Sequence, residues 1–194
     1  MSFESTDTFL VREHVGLLKL KNTYDILSPD GIQIAQAKEN TSTLIMMLKF
    51  VFEPRMLPFQ VEILNPDNSV LLSISRGFTF LRSKVFIKDS TGKDLGYFKQ
   101  RLLSIGGAFD IFDDKDQQIA TLKGEWKGWN FTFTDNAGVE IGQITKKWTG
   151  LAKEFFTTAD NYVVHIERTK ITDVRHVQIL FCAAVCIDMV LKER

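Results

Sequence analysis

Residue types that would announce a chemistry are scarce in this 194-residue chain. It has two cysteines, Cys182 and Cys186, so no disulfide framework of the secreted kind is available. Spaced i, i+4, they share one helix face, and their side chains would run side by side rather than meet in disulfide geometry. With His176 they make an incomplete zinc set, since a closed site needs four ligands. A surplus of either charge is lacking too: 24 Lys and Arg balance 24 Asp and Glu. Nothing in that balance points to nucleic acid, and no such partner is expected, although a zero total can still hide a basic face. There is no G-x-S-x-G, no H-E-x-x-H and no P-loop, so no enzyme is expected. Gly106-Gly107 lacks the Lys-Ser/Thr of a phosphate loop and reads as a turn. The start, MSFESTDTFLVREH, has no apolar h-region. An intracellular location follows as the expectation, cytoplasmic or peripheral at a membrane, with reduced thiols.

A membrane-length apolar run is also missing. ILFCAAVCIDMVLKER, residues 179–194, is the most apolar stretch, yet Ile179 to Ile187 is nine residues before Asp188 interrupts. A span needs about 20. Asp188 in a bilayer interior would cost roughly 2.5–3.5 kcal/mol. A helix apolar nearly all round is buried on all sides or in lipid. The length favours burial, and the small residues Cys182, Ala183, Ala184 and Cys186 would let strands approach closely.

What is present is globular: 44% hydrophobic, 25% charged, with sixteen Phe against three Tyr. Rings without a polar handle belong in a core or against lipid. Six segments repeat one pattern, an alternating apolar run, a polar turn and a second alternating run. They begin at Tyr24, Val61, Val85, Phe109, Phe131 and Phe155. Turns such as Pro-Asp-Gly, Pro-Asp-Asn and Asn-Ala-Gly tolerate the dihedrals of tight reversals, and period-two flanks mark half-buried strands. Six hairpins predict twelve strands. A β-sandwich is one arrangement for them. The nearly constant period favours a meander closed into a barrel, which removes the sheet edges. A barrel of that size holds contents, so the reading is one domain over 1–194: mainly β, a closed twelve-stranded antiparallel β-barrel around a central hydrophobic C-terminal α-helix, with Asp188 near one mouth. Residues 43–60 break the pattern, and periodicity leaves Leu44 to Phe52 open between buried strand, short helix and exposed apolar loop.

GQITKKWTGLAKEFFTTADNY, residues 142–162, resembles the phospholipid scramblase family. The matching pattern is Gly-x-Ile, a basic pair, Trp-Thr-Gly, then Glu-x-Phe-Thr-x-Ala-Asp-Asn and an aromatic. YDILSPDG, RMLPF and the Asp-containing IDMVL match more weakly. The likeness runs from about Phe9 to Leu191. It implies kinship with the tubby C-terminal domain and the LURP-one-related proteins, whose shared fold is a twelve-stranded barrel around a hydrophobic helix. It also implies membrane phospholipid as the partner, transfer of phospholipids between leaflets as the activity, and calcium as the one cofactor on offer. The chain departs from the family in three places. The Pro-rich N-terminal arm is absent. TSTLIMMLKFVF stands, cysteine-free, where relatives are palmitoylated. In the calcium loop Asp160, Asn161 and Glu167 are the candidate ligands, but Val163, Val164 and His165 fall where calcium wants closely spaced carboxylates.

Lipid contact has two sets of candidates. Lys146 and Lys147 flank Trp148, and Trp126, Lys127 and Trp129 make a second cluster; Lys and Trp together suit a headgroup layer. The alternative is a Trp packed on the barrel rim, and the lipid reading gains only where both clusters share one barrel end. The other set, Leu44, Met46, Met47 and Phe50, takes the place of the lipidated cysteines and is expected to form an exposed, membrane-touching patch. A buried cap is the competing arrangement. The acidic run Asp110, Asp113, Asp114, Asp116 reads as a hydrated turn. Two functions stand: membrane phospholipid binding with scrambling, or a soluble binding or scaffold module without lipid transport. No protein partner is indicated.

Overall fold

The computed structural model describes residues 3–14, 22–40, 42–48, 51–53, 56–80, 82–101, 107–125, 128–146 and 161–191. Its strands, in chain order, are β1 (Thr8–Glu13), β2 (Thr23–Leu27), β3 (Gln33–Glu39), β4 (Phe59–Leu64), β5 (Val70–Arg76), β6 (Lys84–Asp89), β7 (Asp94–Gln100), β8 (Ala108–Asp113), β9 (Gln118–Glu125), β10 (Asn130–Thr134), β11 (Glu140–Thr145) and β12 (Tyr162–Ile166). Each pairs antiparallel with its sequence neighbour, and β1 pairs with β12 to close the barrel. A short helix, α1 (Thr43–Leu48), lies between β3 and β4, and α2 (Val174–Leu191) ends the fold.

Five hairpins share one turn chemistry. In each, the first turn residue accepts from the amide three positions on and donates to the carbonyl four positions on: Ser28 with Gly31 and Ile32, Asn65 with Asn68 and Ser69, Asp89 with Gly92 and Lys93, Asp113 with Asp116 and Gln117, Asp135 with Gly138 and Val139. The fourth residue of each is left-handed, with φ between 60° and 85°. Glycine, Asn and Asp are the residues that tolerate it. A register shift follows at every one of these turns, the bulge a three-residue hairpin loop requires. Asp89, Asp113 and Asp135 add side-chain bonds to two amides of their own turns.

The sixth hairpin is corrected. The barrel closes without a strand from its first half, residues 155–160, which lie outside the described residues. The twelfth strand is β1 at the other end of the chain, where Phe9 and Leu10 face Val164 and Val163. The total of twelve strands holds, with a different member.

The meander sorts the connections. All five tight turns sit at one end of the barrel, the turn end. The wider connections 14–22, 40–58, 77–83, 101–107, 126–129 and 146–161 join strands at the opposite, loop end.

Alternate strand residues point inward, as with Phe131 and Phe133 of β10 and Leu72 and Ile74 of β5. What they enclose is α2. Every residue from Ile179 to Ile187 is at most 2% exposed, so the helix is covered on all sides. Phe181 lies at the centre, 4.6 Å from the Phe9 ring and 4.9 Å edge-on from Phe3. An 18-residue helix is about 27 Å long. It enters at the turn end, where Arg175 reaches Asp114 of the β8–β9 turn at 3.6 Å, and runs toward the loop end, where Cys186 lies in the field of Arg76 at the end of β5. Among the described residues no helix is long and apolar enough to cross a membrane. Outward strand positions, such as Gln36, Ser73, Lys123, Thr132 and Gln143, are polar, the reverse of the lipid-facing band of a membrane barrel. An outer row of Phe86, Tyr97 and Phe112 is the exception, with the Lys84 ammonium 3.7 Å from the Tyr97 ring centre.

Asp173 starts the helix. Its Oδ1 accepts from the Arg175 amide at 2.9 Å, and its carboxylate is gripped by the Arg175 guanidinium at 2.6 and 3.0 Å. Those bonds hold its carboxyl down to about 2.

Two outcomes follow from this packing. Phe181→Ala should cost about 3–5 kcal/mol in urea unfolding, the range for an aromatic removed from a core. Asp173→Asn keeps a capping oxygen but loses the ion pair with Arg175, and should cost about 0.2–1 kcal/mol at neutral pH. The depressed carboxyl contributes stability that is complete above its unfolded value, near 4, and lost as pH falls through about 2. Unfolding midpoints of variant and parent should therefore converge as pH approaches 2.

Candidate functional site

The segment after β3 turns into α1, with Ser42 Oγ accepting from the Ile45 amide at 3.4 Å. One and a half turns later the Val51 and Phe52 amides both bond to Leu48 O, so the chain stays coiled past the helix. This geometry leaves Met47 62%, Val51 76% and Phe52 49% exposed. The short-helix alternative therefore describes 43–48, and apolar exposure describes Met47, Val51 and Phe52. The side chains of Leu44 and Met46, and all of Phe50, lie outside the described residues.

A second apolar segment stands beside the first. Phe78 and Phe80 are 60% and 80% exposed, and the Thr79 amide between them donates to Met56 O at 3.0 Å, four residues past Phe52. Sequence reasoning missed these two rings, because RGFTFLRS repeats the alternation that everywhere else marks a buried strand face. The signal present was position: the pair follows β5, at the loop end.

One member of each Trp/Lys cluster, Lys146 and Trp129, meets the other at that end. The Lys146 amide donates to Trp129 O at 3.3 Å, and its ammonium lies 4.7 Å from the Trp129 ring centre. Trp129 itself is corrected as a surface residue. At φ +48° and 9% exposure its indole turns inward, stacks on Tyr162 at 5.1 Å and meets Phe131 edge-on. It packs the rim, where burying a large ring outweighs exposing it. Trp126, Lys127, Lys147 and Trp148 lie outside the described residues.

The calcium candidates do not converge. Asn161 precedes β12 at the loop end and Glu167 follows it at the turn end. Six extended residues separate them by about 20 Å, while calcium holds each ligand within about 2.6 Å. Asn161 is 5% exposed, and Glu167 accepts from Thr169 at 3.0 Å. Asp160 lies outside the described residues, among which no group of three metal-ligating side chains occurs. In the acidic run, Asp113 holds its own turn, Asp114 faces Arg175, and Asp110 sits in β8 with Arg101 at 2.8 and 2.9 Å. Asp116 lies against the Tyr97 hydroxyl, so each carboxylate of the run has a structural partner. Cys182 and Cys186 are free and fully buried, and burial pushes both thiols up.

The sequence profile of the Scramblase family matches residues 5–194. The chain belongs to the scramblase family. Among curated relatives it is 22% identical over 218 residues to a phospholipid scramblase family protein of Schizosaccharomyces pombe, covering 98% of this chain and 56% of that protein. It is 24% identical to Altered inheritance rate of mitochondria protein 25 of Saccharomyces cerevisiae, over 78% and 54% of the two chains. With human Phospholipid scramblase 2 it shares 24% identity over 97% and 68%. The chain thus spans little more than half the length of its fungal relatives. A solved Arabidopsis thaliana protein, 12% identical, superposes over 97% of this chain and 94% of its own with a TM-score of 0.53, a likeness of fold.

For this scramblase-family barrel the thiols report on the helix. Alkylation at about pH 8 should leave Cys182 and Cys186 unmodified in the folded protein and modify both in urea, because a buried thiol yields little of the reactive thiolate. Labelling of the native protein at the unfolded rate, read by mass spectrometry, would contradict the enclosed helix.

Proposed function

We propose that the protein binds membrane phospholipid as a peripheral protein and takes part in handling phospholipid at the bilayer surface. Membership of the scramblase family supports it, as do the names of two relatives. The observation that carries it is the exposed apolar segment Met47, Val51 and Phe52 beside Phe78 and Phe80. A group of exposed apolar side chains at one end of a fold marks a docking surface, and Phe is a side chain that enters the headgroup–acyl boundary.

Movement of lipid between leaflets is the finer part of the proposal. The filled barrel favours a second reading, a binding or scaffold module without transport. While α2 occupies the interior, no lipid route runs through it, so scrambling requires release of the helix or a path over the outer surface. Calcium is the cofactor that the resemblance offers. With Asn161 and Glu167 at opposite ends of β12, calcium-independent lipid binding is the expectation.

Three measurements on vesicles separate these readings. Met47→Glu/Phe52→Glu should lower co-sedimentation at least tenfold while keeping the parent's unfolding midpoint, since exposed sites rarely affect stability. Unchanged binding by a folded variant would remove Met47 and Phe52 from the site. Leaflet exchange of a fluorescent lipid, with and without calcium, distinguishes scramblase from module. Alkylation of Cys182 and Cys186 in the presence of vesicles decides whether exchange, where seen, accompanies release of α2.

A further inference from the structure

The barrel is polar along its axis. Among the described residues, the connections at the loop end hold Arg82, Arg101 and Lys146 against Glu53. Between the ends of the flanking strands, the five tight turns at the other end hold five Asp against two Lys. The link from β12 to α2, also at the turn end, carries two of each sign and cancels. A zero net charge thus conceals a basic end and an acidic end separated by the height of the barrel. Exposed apolar side chains follow the same division. Met47, Val51, Phe52, Phe78 and Phe80 gather in two adjoining loop-end segments, tied through Thr79 and Met56. At the turn end Ile32, Val139 and Val174 are exposed one at a time, from separate segments. Scattered single residues are ordinary surface, whereas a contiguous group is not. Arg82, two residues after Phe80, is an exposed cation on the same connection.

From this we infer that the protein docks end-on, loop end down, on an anionic phospholipid leaflet, with Phe78 and Phe80 as a second insertion point beside Met47, Val51 and Phe52. The inference rests on the membrane-binding reading and adds the surface, the orientation and the lipid class. The charge division is what selects the occupant. A negatively charged leaflet attracts basic segments lying within a Debye length of it and repels the acidic end. The apolar side chains supply the short-range part once the barrel is upright. Side-on docking is opposed by the outer wall, where Gln36, Ser73, Lys123, Thr132 and Gln143 alternate with the core positions and the Phe86, Tyr97 and Phe112 row on β6–β8 is the one apolar strip described. The same orientation points the far end of α2 toward the bilayer.

The test compares two matched pairs of variants on phosphatidylcholine vesicles with and without phosphatidylserine. Phe78→Glu/Phe80→Glu should weaken binding to the anionic vesicles at least tenfold. Ile32→Glu/Val139→Glu, the same charge change at the turn end, should bind within about twofold of the parent. Parent binding should be stronger on the phosphatidylserine vesicles and fall with added salt. Hydrogen exchange of the unmodified protein supplies an arm that needs no variant: vesicles should protect 77–83 and 43–53 and leave the five tight turns unprotected. Binding of the parent with Phe78→Glu/Phe80→Glu equal to it, or protection at the turns, overturns the orientation alone. Equal parent binding with and without phosphatidylserine overturns the anionic class. A parent that binds neither vesicle overturns the membrane reading and the inference together.

Discussion

A helix with apolar side chains on every face must be surrounded, and most of this fold is the surrounding. The nine residues from Ile179 to Ile187 have no solvent-facing side, so strands must enclose them all the way round. An open sheet would leave part of the helix wet and two edges unpaired. Closure solves both problems, but it needs a final pairing between chain termini. The β1–β12 contact supplies that pairing, and Phe9 of β1 packs directly on Phe181. Helix and seam are therefore one structural problem. The ring that plugs the centre of the helix is held by the strand that shuts the wall.

How much of this the sequence discloses depends on how local the determinant is. The five tight hairpins are legible because the turn residue, its left-handed partner and the bulge lie within five positions: Asp135 to Val139 states the whole device. The helix is legible for the same reason, since its length and composition are properties of one segment. β1 is not. TFLVRE is short, and the partner that makes it a strand lies more than 150 residues away. The sixth segment, from Phe155, carries the family's motif and a turn-like Asp-Asn, and was paired with itself when its second half belonged beside β1.

The candidate site was legible as a place more than as a set of side chains. That the Trp/Lys clusters share a barrel end follows from up-and-down order alone, and Lys146 over Trp129 bears it out. Which aromatic faces water does not follow. Trp129 looked like a headgroup anchor and is buried, while Phe78 and Phe80 drew no reading from the sequence and are exposed. Alternation reports two faces and not which face has a neighbour. Past the end of β5 the strand pairing stops, so neither Phe78 nor Phe80 is covered by an adjacent strand. The calcium ligands failed by a related route: Asn161 and Glu167 are close in sequence, but β12 between them is extended.

The enclosed helix also constrains what a protein of this family can do with lipid. Removing α2 from the barrel would expose its apolar faces and the lining of Phe131, Phe133, Leu72 and Ile74 together. Water would penalise that exposure at about 25 cal/mol per Å², and a bilayer would not. Release in solution is therefore closed to the protein, and release at a membrane is open only where the mouth of the barrel already touches it. The loop end is the mouth with apolar segments and basic connections, and it is the mouth toward which α2 runs. The turn end holds the other terminus of the helix through Asp173, Arg175 and Asp114. Any withdrawal of the helix has to break that latch while the opposite mouth faces lipid. On the proposed end-on docking, the axis of the barrel sets both where the membrane would be met and which end of the helix would have to let go.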